Sequence, residues 1–245
     1  MDDKRDNQCY LSRVSGTVFA IGGNERKQSW RADVLRAFVE HAGGSRANIA
    51  VITAASVEPV RRGATYDRLF RRLGAGSVDV IHPWTPNAAA RIAAANTIFV
   101  TGGDQERLML ALRESAGDEA IRRAVADGAT YGGTSAGAAV ISATMISGST
   151  KTKAGEQLEF GEGLGLVPHA VIDQHFSERK RLGRLQRAVA EHELVGIGID
   201  ENTAAIFGAD GSMHVIGTGS VTIVKPELLF TEVFEHAPGP RISIR

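Results

Sequence analysis

Two stretches, Thr97-Ile98-Phe99-Val100-Thr101-Gly102-Gly103-Asp104-Gln105 and Gly132-Gly133-Thr134-Ser135-Ala136-Gly137-Ala138-Ala139, decide how this chain folds. In each, a short strand stops at a Gly pair and gives way at once to a helical pattern. Between them lies a helical region over about 104–127, and after the second comes a small-residue helix at Ala136 to Ile141. Continuously apolar strands separated by amphipathic helices imply a parallel sheet covered on both faces. The same alternation extends towards the N-terminus. Thr17 to Ile21 reads as a strand, and a helix over about 28–42 carries Trp30, Val34, Leu35, Phe38 and Val39 on one face before Gly43-Gly44 ends it. Strand Asn48 to Thr53, a helix with Tyr66, Leu69, Phe70 and Leu73, strand Val78 to Ile81 and a short helix near 87–95 follow.

Beyond residue 190 the pattern changes. Val195 to Ile199, Ala204 to Phe207, Met213 to Ile216 and Val221 to Val224 are short strand candidates, and Asp210-Gly211 and Gly217-Thr218-Gly219 supply turns between them. These read as hairpins that extend the sheet in antiparallel fashion. The expected fold is therefore a three-layer, doubly wound α/β domain, mostly parallel with an antiparallel C-terminal extension. A single catalytic domain over 15–245 is expected, preceded by a flexible arm over 1–14. The tail from Glu235 contains Pro238, Gly239 and Pro240, which discourage regular structure.

A chain of 245 residues, 43% of them hydrophobic, buries a full core. Lys plus Arg and Asp plus Glu number 28 each, so no global field of one sign draws in nucleic acid or a membrane surface. One cysteine, Cys9, permits no internal disulfide and points to a reducing, cytoplasmic setting. The polar start, Met1 to Asn7, lacks the apolar core of a secretory signal. No run of about 18 apolar residues suggests a membrane span.

Gly133-Thr134-Ser135-Ala136-Gly137 satisfies G-x-S-x-G in the strand-to-helix context that a nucleophile elbow requires. A serine at such a turn has a strained backbone, so its neighbours must be small, and all of them are. The Ala136 N–H lies at a helix N-terminus, where unpaired donors stabilise an oxyanion. Gly102-Gly103 ends the preceding strand and offers a second donor at Gly103, while Asp104 alone reads as an ordinary helix cap. A Gly/Ala-rich turn that merely lets helix and sheet pack closely is the competing reading.

Among seven histidines, His41 and His192 fall on amphipathic helices, His82 at a strand end and His236 in the tail. His175 stands apart. It ends the apolar run Ile172-Asp173-Gln174-His175-Phe176, just before a helix that Ser177 can cap, and so can reach an active-edge serine as general base. An orienting carboxylate is available where Val195-Gly196-Ile197-Gly198-Ile199 ends in Asp200-Glu201, but the pleat turns only one of the two to any given face. Spacing leaves that choice open. Pairing of Glu201 with His214 or His236 would instead give the residue order of an α/β-hydrolase esterase.

These motifs, together with Ile21-Gly22-Gly23-Asn24-Glu25 and Gly196 to Ala204, resemble the cyanophycinases, serine peptidases with a class I glutamine amidotransferase-like fold. The resemblance implies Ser135 as nucleophile, His175 as base and Glu201 as orienter. It further implies substrate contacts from Gln105, Asp173, Gln174, Arg179, Arg181 and Arg184, and a homodimer; no metal or other cofactor is expected, since acyl transfer through a serine needs none and the histidines show no ligand spacing. The implied substrate is cyanophycin, a poly-aspartate backbone with arginine on each side-chain carboxyl, cut by an exopeptidase to β-aspartyl-arginine through an acyl-enzyme. Arg26 departs from the pattern, where an acidic residue is expected. Lys180 and Arg187 read as a solvated helix face. A dipeptidase acting on aspartyl dipeptides, an esterase, and a binding module without activity are the competing functions.

Overall fold

The computed structural model describes residues 15–152, 155–226, 231–235 and 242–243. The N-terminal arm over 1–14, Cys9 within it, and the tail residues His236, Pro238, Gly239 and Pro240 lie outside the described residues. In chain order the elements are β1 (Val18–Ile21), α1 (Asp33–His41), β2 (Asn48–Ile52), α2 (Pro59–Arg72), β3 (Ser77–Ile81), α3 (Ala88–Ala93), β4 (Thr97–Val100), α4 (Gln105–Glu114), α5 (Gly117–Ala126), β5 (Thr130–Thr134) and α6 (Ala136–Ala139). There follow β6 (Thr144–Thr152), β7 (Gly155–Glu162), β8 (Ala170–Gln174), α7 (Leu182–His192), β9 (Val195–Ile199), β10 (Thr203–Phe207), β11 (Ser212–Gly217), β12 (Ser220–Val224), β13 (Thr231–Glu235) and β14 (Ile242–Ser243).

The chain is a mixed α/β protein whose central sheet has the order β14-β11-β10-β1-β5-β4-β2-β3. From β1 to β3 every neighbouring pair is parallel; β10, β11 and β14 add antiparallel strands. Strand alternation sends Val18 and Ala20 into one core and Phe19 and Ile21 into the other. On the second side α1 and α2 contribute Leu35, Phe38, Tyr66 and Phe70, and the last three meet Phe99 ring against ring. The first side is covered by Ile92, Leu108, Leu112, Ile121 and Val125 from α3, α4 and α5. Burial on both faces is why β1, the inner part of β2 and β4 read as apolar runs, whereas β3 at the sheet edge carries Ser77 and Asp79. Among the described residues, no helix is long and apolar enough to cross a membrane.

Several elements differ from the sequence expectation. The helix around 28–42 begins only at Asp33; Trp30 sits in a preceding 3₁₀ turn and is 76% exposed, whereas Val34, Leu35, Phe38 and Val39 are buried. The helical region over 104–127 is two helices. The Ser115 hydroxyl donates to the Ala111 and Leu112 carbonyls at the end of α4, and Ala116 turns left-handed (φ 53°) before α5 starts. The four late strands do not all extend the central sheet. Only β10 and β11 do; β9 and β12 instead join β8 and β13 in a second sheet of order β13-β12-β9-β8, with β8 and β9 parallel. Close packing accounts for β9's placement, since Gly198 lies under the Phe176 ring, where a Cβ would come within 2.5 Å. A two-stranded ribbon, β6 with β7, has no counterpart in the sequence reading. Ser177 caps no helix: α7 begins at Leu182, and the Ser177 N–H donates to Asp200.

Candidate active site

β1, β5 and β4 are parallel neighbours, with Ile21 opposite Thr134 and Val100 opposite Gly133, so the loops that follow them leave the sheet at one edge. Open parallel sheets bind ligands at that edge. Ser135 follows β5 directly with φ 53° and ψ −109°, a conformation that an L-residue holds only when its surroundings enforce it. Its N–H donates to the Ile21 carbonyl (2.9 Å), and its own carbonyl accepts from the Ala138 and Ala139 N–H groups (3.0 Å each). Gly102 faces it so closely that a Cβ there would stand 3.1 Å from the serine Cβ. The small residues read from the sequence are thus what exposes the hydroxyl. The N–H groups of Gly103 and Ala136 donate to no backbone carbonyl among the described residues.

His175 arrives from the second sheet, immediately after β8. Its N–H donates to the Gly22 carbonyl (2.8 Å), and its ring covers Gly23, where a Cβ would come within 2.4 Å of Nε2; Gly23 has φ +103°. The ring bridges two groups. Nε2 lies 3.0 Å from Ser135 Oγ, and Nδ1 lies 2.6 Å from Glu201 Oε1. The carboxylate accepts a hydrogen bond from Nδ1–H, which fixes the proton on that nitrogen and leaves Nε2 free to accept from the serine hydroxyl. Glu201 is held in turn by Asn24, whose Nδ2 donates to Oε2 (2.7 Å), while the Glu201 N–H donates to Glu178 Oε1 (3.1 Å). Burial raises the Glu201 carboxyl, but the hydrogen bonds from Asn24 and His175 outweigh it and hold the group below the usual glutamate range.

Asp200 faces the other way. It accepts from the Ser177 N–H (3.0 Å), the Ser220 N–H (2.9 Å) and the Ser220 hydroxyl (2.7 Å), stitching the loop after β8 to β12. Glu201 has Asn24 and His175 as side-chain partners rather than His214, which lies on β11 opposite Ile206.

A cleft of about 720 Å³ opens over Ser135. Of the residues expected to touch substrate, Gln105 and Arg179 line it. Gln105 also donates from Nε2 to the Ile146 and Ser147 carbonyls (3.0 and 2.8 Å), fastening β6 beside the site. Asp173, Gln174, Arg181 and Arg184 do not line the cleft; they bind one another. Asp173 accepts from Arg184 at 2.9 and 2.5 Å and from Arg181 at 3.1 Å, and Arg181 also donates to Gln174. Burial pushes the Arg181 guanidinium down, with Asp173 opposing.

The sequence reading assigned no role to Asn24, Glu25, Lys27, Arg62, Tyr66 and Arg107, which also line the cleft. Glu25 is 3% exposed. Its Oε2 accepts from Thr134 Oγ1 (2.6 Å), and its Oε1 accepts from the Tyr66 hydroxyl and from Lys27 Nζ (2.9 Å). Burial raises this carboxyl, yet Lys27 and the Thr134 and Tyr66 hydroxyls overcome that and keep it below the ordinary value. Burial and the Glu25 charge push the Tyr66 hydroxyl well up. Arg26, the departure noted above, donates only its backbone N–H, to Asn202 Oδ1 (2.9 Å). The signal for Asn24 and Glu25 was the Gly22-Gly23 turn after a parallel strand, the same punctuation that marked Gly102-Gly103.

Residues 18–216 match the family described as Peptidase family S51. This chain belongs to peptidase family S51. Its curated S51-type relatives include the cyanophycinase of Trichormus variabilis, 43% identical over 219 residues that cover 85% of this chain and 73% of the relative. The cyanophycinase of Synechococcus elongatus is 42% identical over 221 residues, covering 86% and 68%. At these identities the S51 member described here is a cyanophycinase-like peptidase. The crystal structure of a peptidase from an acI-B1 Actinobacterium superposes with a TM-score of 0.70 at 20% identity, covering 96% of this chain and 99% of that one, which is a likeness of fold.

Proposed function

We propose that this chain hydrolyses cyanophycin to β-aspartyl-arginine dipeptides through an acyl-enzyme on Ser135, within a class I glutamine amidotransferase-like fold. The observation that carries the reading is the unbroken relay from Ser135 Oγ through His175 to Glu201, at 3.0 and 2.6 Å, built on a serine with positive φ. His175 Nε2 takes the hydroxyl proton as Oγ attacks the scissile carbonyl, then returns it to the leaving amine; water repeats the sequence to release the acyl group. Negative charge that develops on the carbonyl oxygen is met by the Ala136 and Gly103 N–H groups. Glu201, ionised at neutral pH, holds the imidazole in the productive tautomer and stabilises the imidazolium.

Two measurements test this. Reaction with a serine-directed phosphonate, followed by peptide mapping, is expected to place the adduct on Ser135; an unlabelled or differently labelled protein refutes the nucleophile. Rates on cyanophycin, plain poly-aspartate and casein are then compared, with products identified by mass and linkage. Cyanophycin is expected to be cut far faster, with β-aspartyl-arginine released, and comparable rates on all three refute the substrate.

A further inference from the structure

Once internal partners are subtracted, the charges lining the cleft do not balance. Glu201 is occupied by His175 and Asn24, and Glu25 is buried beneath three donors. Asp104 accepts from the Arg107 N–H. Arg62, Arg107 and Arg179 line the same cleft with guanidinium groups that form no ion pair with a carboxylate among the described residues. Lys27 differs from those exposed arginines because it is fixed. Its Nζ donates to Glu25 Oε1 (2.9 Å) and to the Glu25 carbonyl (3.1 Å), and it stands 5.6 Å from the centre of the Tyr66 ring. The side chain is nevertheless 28% exposed to the cleft. An ammonium has three donors, so these two bonds leave one for a ligand.

The fixing is tied to the reacting centre. Glu25 holds Lys27 with one oxygen and the Thr134 hydroxyl with the other, and Thr134 directly precedes Ser135. A cation whose position is set before binding loses little freedom when a ligand arrives. We propose that Lys27 is the carboxylate anchor of this cleft, binding a free carboxylate of the substrate and so placing the scissile carbonyl over Ser135. The proposal rests on the function proposed above. A β-aspartyl-arginine polymer offers such a group from two sources: the C-terminal carboxylate of the main chain, and the carboxylate each arginine keeps when its amino group is acylated.

The competing role for Lys27 is simply to neutralise Glu25. Replacing both residues separates the two roles. Glu25→Gln/Lys27→Met removes the buried charge together with its counter-ion, while the Gln amide still reaches Tyr66 and Thr134 and the Met stem still covers the Tyr66 ring. Wild type and this variant are assayed on three synthetic β-aspartyl-arginine oligomers: one with every carboxylate free, one amidated at the main-chain terminus, and one amidated at the arginine carboxyls. Wild type is expected to favour the free acid over one of the amides by roughly tenfold to a hundredfold, the range of a charged hydrogen bond, and that amide names the carboxylate bound. In the variant the preference is expected to shrink to within about twofold, with the loss in KM for the free acid. Lys27→Arg, which keeps the charge, is expected to retain part of it.

A folded double variant that keeps the wild-type preference overturns the anchor, as does a wild type that discriminates against neither amide, a result that needs no variant. Wild type inert on all three oligomers is a different failure: it removes the proposed function, and the anchor with it.

Discussion

At the end of β8, Asp173 is bonded by Arg181 and Arg184, and none of the three lines the cleft; at the end of β1, Glu25 is bonded by Lys27, Tyr66 and Thr134, and the Lys27 ammonium still faces the cleft. Both regions contain a carboxylate almost wholly shielded from water and both abut the candidate active site. They differ in whether the cation that binds the carboxylate also lines the cleft. The first locks the loop that carries His175 onto α7, and the second holds a charge in readiness. Proximity of charged residues to a catalytic histidine in sequence therefore says little about whether they meet a substrate or one another.

The contrast breaks most easily at the serine. Ser135→Ala is expected to melt like wild type and to lose cyanophycin hydrolysis by roughly three or more orders of magnitude, since binding and oxyanion stabilisation alone leave a residual rate. Steady-state assays beside a thermal melt check it, and substantial turnover by the folded variant defeats the nucleophile assignment.

Asp173→Asn should show the opposite profile. It leaves two largely buried guanidinium groups without their counter-charge, which costs about 3 kcal/mol in comparable settings. The expected readout is a clear fall in denaturation midpoint. A variant as stable as wild type but defective in KM would instead make the β8 cluster a substrate contact.

Glu201→Gln comes next, with activity expected to fall by up to about 10⁴-fold, less than for loss of the serine, because an orienting group acts through the histidine. Asp200→Asn is the foil on the adjacent residue. If it damages kcat more than Glu201→Gln does, the strand face has been assigned wrongly.

The smallest effect concerns acid. Burial raises the Asp200 carboxyl, but bonds from Ser177 and Ser220 more than reverse this, so its folded value lies below the ordinary one. The unfolded chain then takes up that proton first as pH falls. The stabilisation is complete above the usual aspartate range and disappears as pH drops through the lower, folded value. Denaturation midpoints of wild type and Asp200→Asn are expected to differ at neutral pH and to begin converging below about pH 4. A gap that is constant through acid argues against an ionised Asp200 as its source.

Much of this was legible in the residues themselves. Apolar runs ending in Gly pairs announced the parallel strands, and the crowd of small residues announced the turn at Ser135, because both signals are local. What failed was long-range. β9 and β12 carry the same short apolar pattern as β10 and β11, and only packing on β8 and Phe176 sends them to another sheet. Asp200 and Glu201 could not be told apart without the crossing geometry of the segment between β9 and β10. Glu25 was quoted in a motif but given no role because its partners Tyr66 and Thr134 lie 41 and 109 residues away, and Asn24 likewise because Glu201 is 177 residues on.

One feature of the topology bears on how the enzyme comes into being. Ser135 belongs to the central sheet, His175 to the second sheet, and Glu201 to the short passage joining them, so the relay spans a seam. A chain emerging from the ribosome presents Ser135 before residues 170–202 can dock. Until they do, the hydroxyl has no base and is chemically inert. If Ser135 is the nucleophile proposed above, turnover reports that the seam has closed.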